Sequence, residues 1–281
     1  MKNLMLRVLT AAVLLPIALT SLFLGGYYFA IFLFIMSLIG CFEAARIIDF
    51  EDKFFIWLSL VLAVCFFLPA VFFHLHSLIA CVFPNIVIFS ATVLFYKRLL
   101  PQDFEKLATI FYWVLYINVG LISIYWISNT PAIIEERTGI SLVLLTCLAV
   151  WCNDSFAYGF GRLMGRHPLF SSVSAKKTWE GFVAGSLLSV VSVLIGFYVP
   201  RYLGFDWLLG LVISDVWWIV CPAILLTPFG DLVESRLKRL YEVKDSSNIL
   251  PGHGGMLDRI DSLLMVMPWA ALYAFLIRPL I

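Results

Sequence analysis

Asp258 and Asp261 stand three residues apart, with Arg259 between them, immediately before an apolar run near the C-terminus. On a helix, two carboxylates at that spacing share one face. Asp231 closes an earlier apolar run, P-A-I-L-L-T-P-F-G-D, and a carboxylate at a membrane edge is costly unless it is paired or binds an ion. Closure of the intervening loop would bring the three acids together. Basic residues are interleaved with them: Lys238, Arg239, Lys244 and Arg259, beside Asp245. Cations of this kind grip phosphate oxygens while carboxylates hold a divalent metal. Hard oxygen ligands suit Mg²⁺, which is commonly bound by one or two carboxylates plus substrate phosphates. Pro251-Gly252-His253-Gly254-Gly255 lies among these charges. It reads either as a plain connector or as a glycine turn whose backbone N–H groups approach phosphate closely.

A second polar stretch has a similar character. Asn153 and Asp154 interrupt an apolar run, and polar residues in such a place face a cavity or bond a neighbouring helix. Downstream comes Ser174-Ala175-Lys176-Lys177-Thr178-Trp179-Glu180-Gly181. Adjacent lysines anchor loops to anionic lipid; next to a serine, a threonine and a glutamate they equally suit a polyphosphate.

These charges stand out against the rest of the chain. Its 281 residues are 62% hydrophobic and 13% charged, where a soluble domain is about 45–50% apolar and about 25% charged. The mean hydropathy is +0.99. The class is therefore integral membrane protein, and one helical bundle spanning 1–281 is expected. Within it, residues 1–130 supply N-terminal spans and 140–281 a catalytic half. Of 19 basic and 18 acidic residues in all, eleven fall between Asp231 and Asp261. A net charge of +1 gives no global field directed at nucleic acid. The six cysteines lie in apolar stretches without C-x-x-C spacing, which speaks against disulfides and structural zinc.

A span needs about 20 apolar residues. Windows of that length fall near 6–24, 27–48, 54–73, 75–96, 108–128, 140–160, 182–199, 206–228 and 262–280, giving about nine candidate spans in an all-α polytopic protein. The fourth is interrupted by Pro84 and Asn85. The first extends too far, without an A-x-A site, to read as a cleaved signal. With the N-terminus in the cytoplasm and the spans alternating, 16 of the 19 basic residues fall on the cytoplasmic side and only Arg137, Arg201 and Arg278 on the other, as the positive-inside rule requires. Both polar loops, about 161–181 and 229–261, then share the cytoplasmic face.

Read in full, 235–261 is S-R-L-K-R-L-Y-E-V-K-D-S-S-N-I-L-P-G-H-G-G-M-L-D-R-I-D. This resembles the signature of the phosphatidate cytidylyltransferases (CDP-diacylglycerol synthases): a serine, a Lys-Arg pair, a Lys-Asp pair, then H-G-G-x-x-D-R-x-D. Ser235, Lys238, Arg239, Lys244, Asp245, His253, Gly254, Gly255, Asp258, Arg259 and Asp261 stand at its fixed positions. Gly230 to Ser235, Asn153 to Tyr158 and Ser174 to Gly181 also resemble family segments. The resemblance implies CTP and phosphatidic acid as substrates, CDP-diacylglycerol and pyrophosphate as products, and a nine-span fold in a bacterial inner membrane. It implies a cytoplasmic Mg²⁺ centre on Asp231 and Asp258 with Asp261 close by, room for a second, monovalent cation such as K⁺, and a plausible homodimer. Asn153, Asp154, Ser174, Lys176, Lys177, Thr178, Glu180, Ser235, Lys238, Arg239, Gly254 and Gly255 become candidate substrate contacts. Lys244, Asp245, His253 and Arg259 join the three aspartates as candidate catalytic residues, His253 as a loop organiser or phosphate contact.

Three rivals share the setting. A CTP-dependent polyprenol kinase would release CDP rather than pyrophosphate, and the complete H-G-G-x-x-D-R-x-D run argues against it. A CDP-alcohol phosphotransferase needs D-G-x-x-A-R, of which Ala44-Ala45-Arg46 is only a fragment. A transporter would carry mid-membrane polar groups in repeated halves, and no repeat is visible here.

Overall fold

The computed structural model describes residues 2–49, 52–73, 78–95, 100–129, 136–171, 173–204, 210–252 and 254–280. Among these there are nine α-helices: α1 (Lys2–Leu24), α2 (Gly26–Ile48), α3 (Lys53–Phe73), α4 (Leu78–Phe95), α5 (Pro101–Asn129), α6 (Glu136–Met164), α7 (Trp179–Tyr202), α8 (Ile213–Leu240) and α9 (Leu257–Leu272). α9 continues through a π-helical turn, Tyr273–Ile277. Two short strands, β1 (Pro168–Phe170) and β2 (Ser174–Thr178), pair antiparallel between α6 and α7.

Seven of the helices are long and apolar enough to cross a membrane: α2, α3, α5 to α8, and α9 with its π-helical extension. The protein is thus a predominantly helical, polytopic membrane protein. The expected spans near 6–24 and 75–96 correspond to α1 and α4, which contain the apolar stretches Leu9–Leu24 and Pro84–Leu94; Pro84 lies inside α4. The all-α expectation omitted the β1–β2 hairpin. The segment expected as a loop from 229 is helical as far as Leu240, so Asp231 and Ser235 sit on α8.

The chain forms two compact units. The first comprises 1–126 and 241–259; the second comprises 127–240 and 260–281. In the first, Phe55, Leu62, Phe67, Ile110, Ile117 and Leu121 are buried. Two of its buried polar side chains, on α2 and α5, bond each other. Ser37 on α2 donates to the Asn118 side-chain oxygen on α5 (2.8 Å), and the Asn118 amide donates to the Val114 carbonyl (2.8 Å). In hydrocarbon such bonds replace those water would have made.

In the second unit α6 and α7 pack along a seam of small residues. A Cβ on Gly181 would lie 2.6 Å from the Ala157 carbonyl oxygen, and one on Gly185 would lie 2.8 Å from both the Ala157 Cβ and the Asn153 carbonyl oxygen. Ser189 closes the seam one turn on, donating to the Ala149 carbonyl (2.8 Å). Small residues at a four-residue spacing let the backbones approach closely, which is the main source of helix association where lipid is as apolar as leucine. The seam fixes the part of α6 that carries Asn153 and Asp154.

Proline interrupts α8 at Pro222 and Pro228. Pro222 has no N–H, so the carbonyl four residues back, that of Trp218, loses its helical partner. The Trp269 indole N–H donates to that carbonyl at 2.8 Å, and the two indoles stack with centroids 6.4 Å apart. A freed backbone acceptor is met by a neighbouring helix, as hydrocarbon demands. Trp269→Phe keeps the aromatic bulk and orphans the acceptor. It is expected to cost about 1–3 kcal/mol, seen as a lower apparent unfolding midpoint in detergent; an unchanged midpoint would remove this bond from the account of α8.

Candidate active site

In the second unit the polar residues singled out from sequence converge on one lysine. Lys177, at the end of β2, places its ammonium 2.6 Å from Asp231 Oδ2 on α8 and donates to the Pro228 carbonyl at 3.2 Å. Ser235, one turn after Asp231, donates to its other oxygen, Oδ1, at 3.1 Å. Both Asp231 oxygens therefore have partners. Asp261 on α9 is buried and feels the charges of Asp231, Asp154 and Lys177. Asp154 in turn feels Asp231 and Lys177. Four side chains from α6, β2, α8 and α9 thus form one electrostatic cluster.

Two local features hold it. Gly230 lets α8 approach α9: a Cβ there would lie 2.6 Å from the Asp261 carbonyl oxygen and 2.9 Å from the Ser262 Cα. Thr178 caps the start of α7, its hydroxyl accepting from the Gly181 N–H at 3.2 Å, and this anchors the strand that delivers Lys177. Glu180 accepts the backbone N–H groups of Arg166 (3.1 Å) and His167 (3.3 Å) and lies 2.6 Å from His167 Nδ1. It therefore organises the segment entering the hairpin. Lys238 pairs with buried Glu234 at 2.8 Å. Asn153 is buried, and its side-chain nitrogen has no hydrogen-bond partner. Ser174 is half-buried, while Lys176 and Arg239 are exposed.

The remaining signature residues lie in the first unit. Residues Leu250 and Gly254 form an antiparallel bridge, Leu250 N–H to Gly254 O at 2.9 Å and the reverse at 3.2 Å. The turn it closes uses positive φ at Gly252 (75°) and Gly254 (86°), conformations that favour glycine. Asp258, in the first turn of α9, accepts on Oδ2 from the Ser246 N–H (3.1 Å) and the Gly255 N–H (3.0 Å) and shares the single Ser246 hydroxyl proton (3.0 Å) with Glu43. Lys244, Asp245 and Arg259 are exposed. His253 lies outside the described residues.

The sequence reading passed over Glu43. It is fully buried on α2 and accepts four hydrogen bonds from this loop: Ser246 Oγ (3.2 Å), Ser247 Oγ (2.5 Å), Met256 N (2.9 Å) and Leu257 N (2.8 Å). The signal was present. An acid inside the apolar run G-C-F-E-A-A-R is unusual enough to mark a site.

Among the described residues no group of three His, Cys, Asp or Glu side chains makes a metal cage by itself. The donor chemistry nevertheless fits Mg²⁺. Asp154, Asp231 and Asp261 influence one another and Lys177 electrostatically, and their donors are hard oxygens. Such a cation usually takes only one or two protein carboxylates and completes its shell from phosphates and water.

Comparison with known proteins gives one consistent result. Residues 5–277 match the model of the cytidylyltransferase family. A protein named phosphatidate cytidylyltransferase from Staphylococcus haemolyticus is 34% identical over 277 residues, covering 93% of this chain and 95% of that protein. Those of the same name from Staphylococcus epidermidis and Staphylococcus aureus are 35% identical over 274 residues, with the same coverage.

The contact between Gly230 and the Asp261–Ser262 backbone leaves no room for a methyl group. Gly230→Ala is expected to destabilise the protein by about 1–3 kcal/mol through overpacking, read as a lower unfolding midpoint in detergent. A midpoint equal to that of the parent chain would show that α8 and α9 have slack here.

Proposed function

Because the chain belongs to the cytidylyltransferase family, we propose that it is a phosphatidate cytidylyltransferase, which transfers the cytidylyl group of CTP to phosphatidic acid and releases pyrophosphate. The observation that carries this reading is the clustering of Lys177, Asp154, Asp231 and Asp261 inside a chain whose relatives of that name align over 93% of its length.

The reaction joins two anions. A phosphate oxygen of phosphatidic acid attacks the α-phosphorus of CTP. The new P–O bond forms as the bond to the bridging oxygen breaks, and pyrophosphate leaves with that electron pair. The attacking phosphomonoester is already ionised near neutral pH, its second pKa being near 6, so no strong general base is required. Charge neutralisation and alignment are the main demands. Lys177 is held by Asp231 and by a backbone carbonyl, so it offers a cation whose position is set before substrate arrives. Lys176, Arg239, Lys244 and Arg259 are the further cations proposed to contact phosphates; Lys238 is paired with Glu234. Ser235 orients Asp231, and Ser246 with Gly255 orients Asp258. His253 organises the glycine turn or contacts phosphate.

Mg²⁺ held by Asp231 and Asp258, with Asp261 nearby, would supply Lewis-acid stabilisation of the phosphates and of the departing pyrophosphate. A monovalent cation such as K⁺ is a second candidate ion. The basic-residue asymmetry supports a cytoplasmic active site in a bacterial inner membrane, with the lipid substrate reaching it from the bilayer and CTP from the aqueous side. A homodimer is the assembly we favour.

Asp258→Asn tests the assignment. In detergent micelles with phosphatidic acid, CTP and Mg²⁺, the parent chain should form CDP-diacylglycerol and pyrophosphate in equal amounts, and the variant should lose about a hundredfold or more of that rate while remaining folded. Turnover near that of the parent would remove Asp258 from the metal site. Release of CDP with a phosphorylated polyprenol would instead establish the kinase reading.

A further inference from the structure

Glu43 is an acidic side chain, inaccessible to solvent, within a helix otherwise suited to hydrocarbon. A charge in that position is retained only where its environment satisfies it. All four of its hydrogen-bond donors belong to one short loop, 246–257, more than two hundred residues later in the chain. Two of them, the Met256 and Leu257 N–H groups, are the donors that the start of α9 leaves without helical partners. Helices usually satisfy such groups with a serine, threonine or aspartate at the cap itself. Here Met256 and Gly255 occupy the start, and the cap comes from α2.

The glycine explains why the arrangement works. A Cβ on Gly255 would fall 1.7 Å from Ser246 Oγ and 2.9–3.0 Å from the Glu43 oxygens, so only glycine leaves space for the carboxylate. Ser246 Oγ lies within hydrogen-bonding distance of both Glu43 Oε2 (3.2 Å) and Asp258 Oδ2 (3.0 Å). One hydroxyl therefore couples the buried carboxylate to the signature carboxylate. A local cap would stabilise the helix end equally well. A cap sent from another helix also fixes the loop against the body of its own unit.

We propose that Glu43 is a positioning residue for the reaction: it sets loop 246–257 so that Asp258 and Arg259, in the first turn of α9, are presented in their working geometry. This rests on the reading of 235–261 as the reaction site.

Glu43→Gln keeps the shape but replaces one acceptor oxygen by an NH₂ group that cannot accept, leaving loop donors unmet. The test combines amide hydrogen exchange, measured without substrate, with steady-state kinetics of cytidylyl transfer. In Glu43→Gln, loop amides at 246 and 254–257 should exchange about tenfold faster or more, while those of α2 and α3 keep parent rates. The kcat should fall about tenfold or more, with KM for CTP changed by less than about threefold. Parent-like kcat would overturn the proposal, whatever the loop does. So would parent-like loop exchange, or a uniform rise across all helices, which reports general loosening.

If Glu43→Gln does not accumulate, Ser247→Ala removes the 2.5 Å bond and leaves the carboxylate in place. A fall in kcat of about threefold with faster exchange confined to the loop supports the proposal, and no change overturns it. A parent chain that performs no cytidylyl transfer defeats the underlying functional reading instead. That failure is told apart because the exchange pattern needs no turnover.

Discussion

A carboxylate held where hydrocarbon replaces water must find donors or countercharge nearby, and the acids of this protein meet that demand in two ways. Glu43 is surrounded by four donors from a single loop. Asp231 is met by an ammonium and a hydroxyl, from Lys177 and Ser235. In the first, the donors among the described residues all come from loop 246–257. The second joins an electrostatic cluster with Asp154 and Asp261. The same constraint therefore produces a structural anchor in one unit and a candidate ligand site in the other.

Backbone groups obey the same constraint. Prolines within apolar helices free carbonyls that water cannot reach, and at Pro222 the answer is an indole from α9. Glycines let helices approach until polar groups meet: Gly181 and Gly185 bring α7 against the stretch of α6 that carries Asp154, and Gly230 brings α8 against Asp261. Removing bulk at these points is what allows acids on three different helices to influence one another. The packing and the electrostatics of the second unit are thus one arrangement.

Much of this was legible in the sequence, because in a chain so apolar each charge is conspicuous. Asn153, Asp154, Lys177 and Asp231 were found that way, and the structure brings Asp154, Lys177, Asp231 and Asp261 into one neighbourhood. Helix positions followed from the length hydrocarbon imposes, and α4 continues through Pro84. The β1–β2 hairpin was not legible, since 168–178 shows no clear alternation of apolar and polar residues and its register is irregular. The roles of Thr178 and Glu180 were hidden for a related reason. One caps α7 and the other clamps the approach to the hairpin, contacts that depend on how the chain turns there. Glu43 was visible as an intramembrane acid, but its partners lie more than two hundred residues away, and no local spacing relates them.

The resting geometry also bears on how the proposed chemistry divides its labour. Two anions meet at a phosphorus atom without need of a strong base, so the protein contributes mainly by fixing charges in advance. An unpaired lysine on a mobile loop would have to be ordered by substrate, drawing on binding energy that could otherwise act in the transition state. Lys177 avoids this. Asp231 and the Pro228 carbonyl hold it at 2.6 and 3.2 Å, and the strand bearing it is tied to the cap of α7 by Thr178. The ion pair in the second unit thus fixes a cation before any ligand arrives.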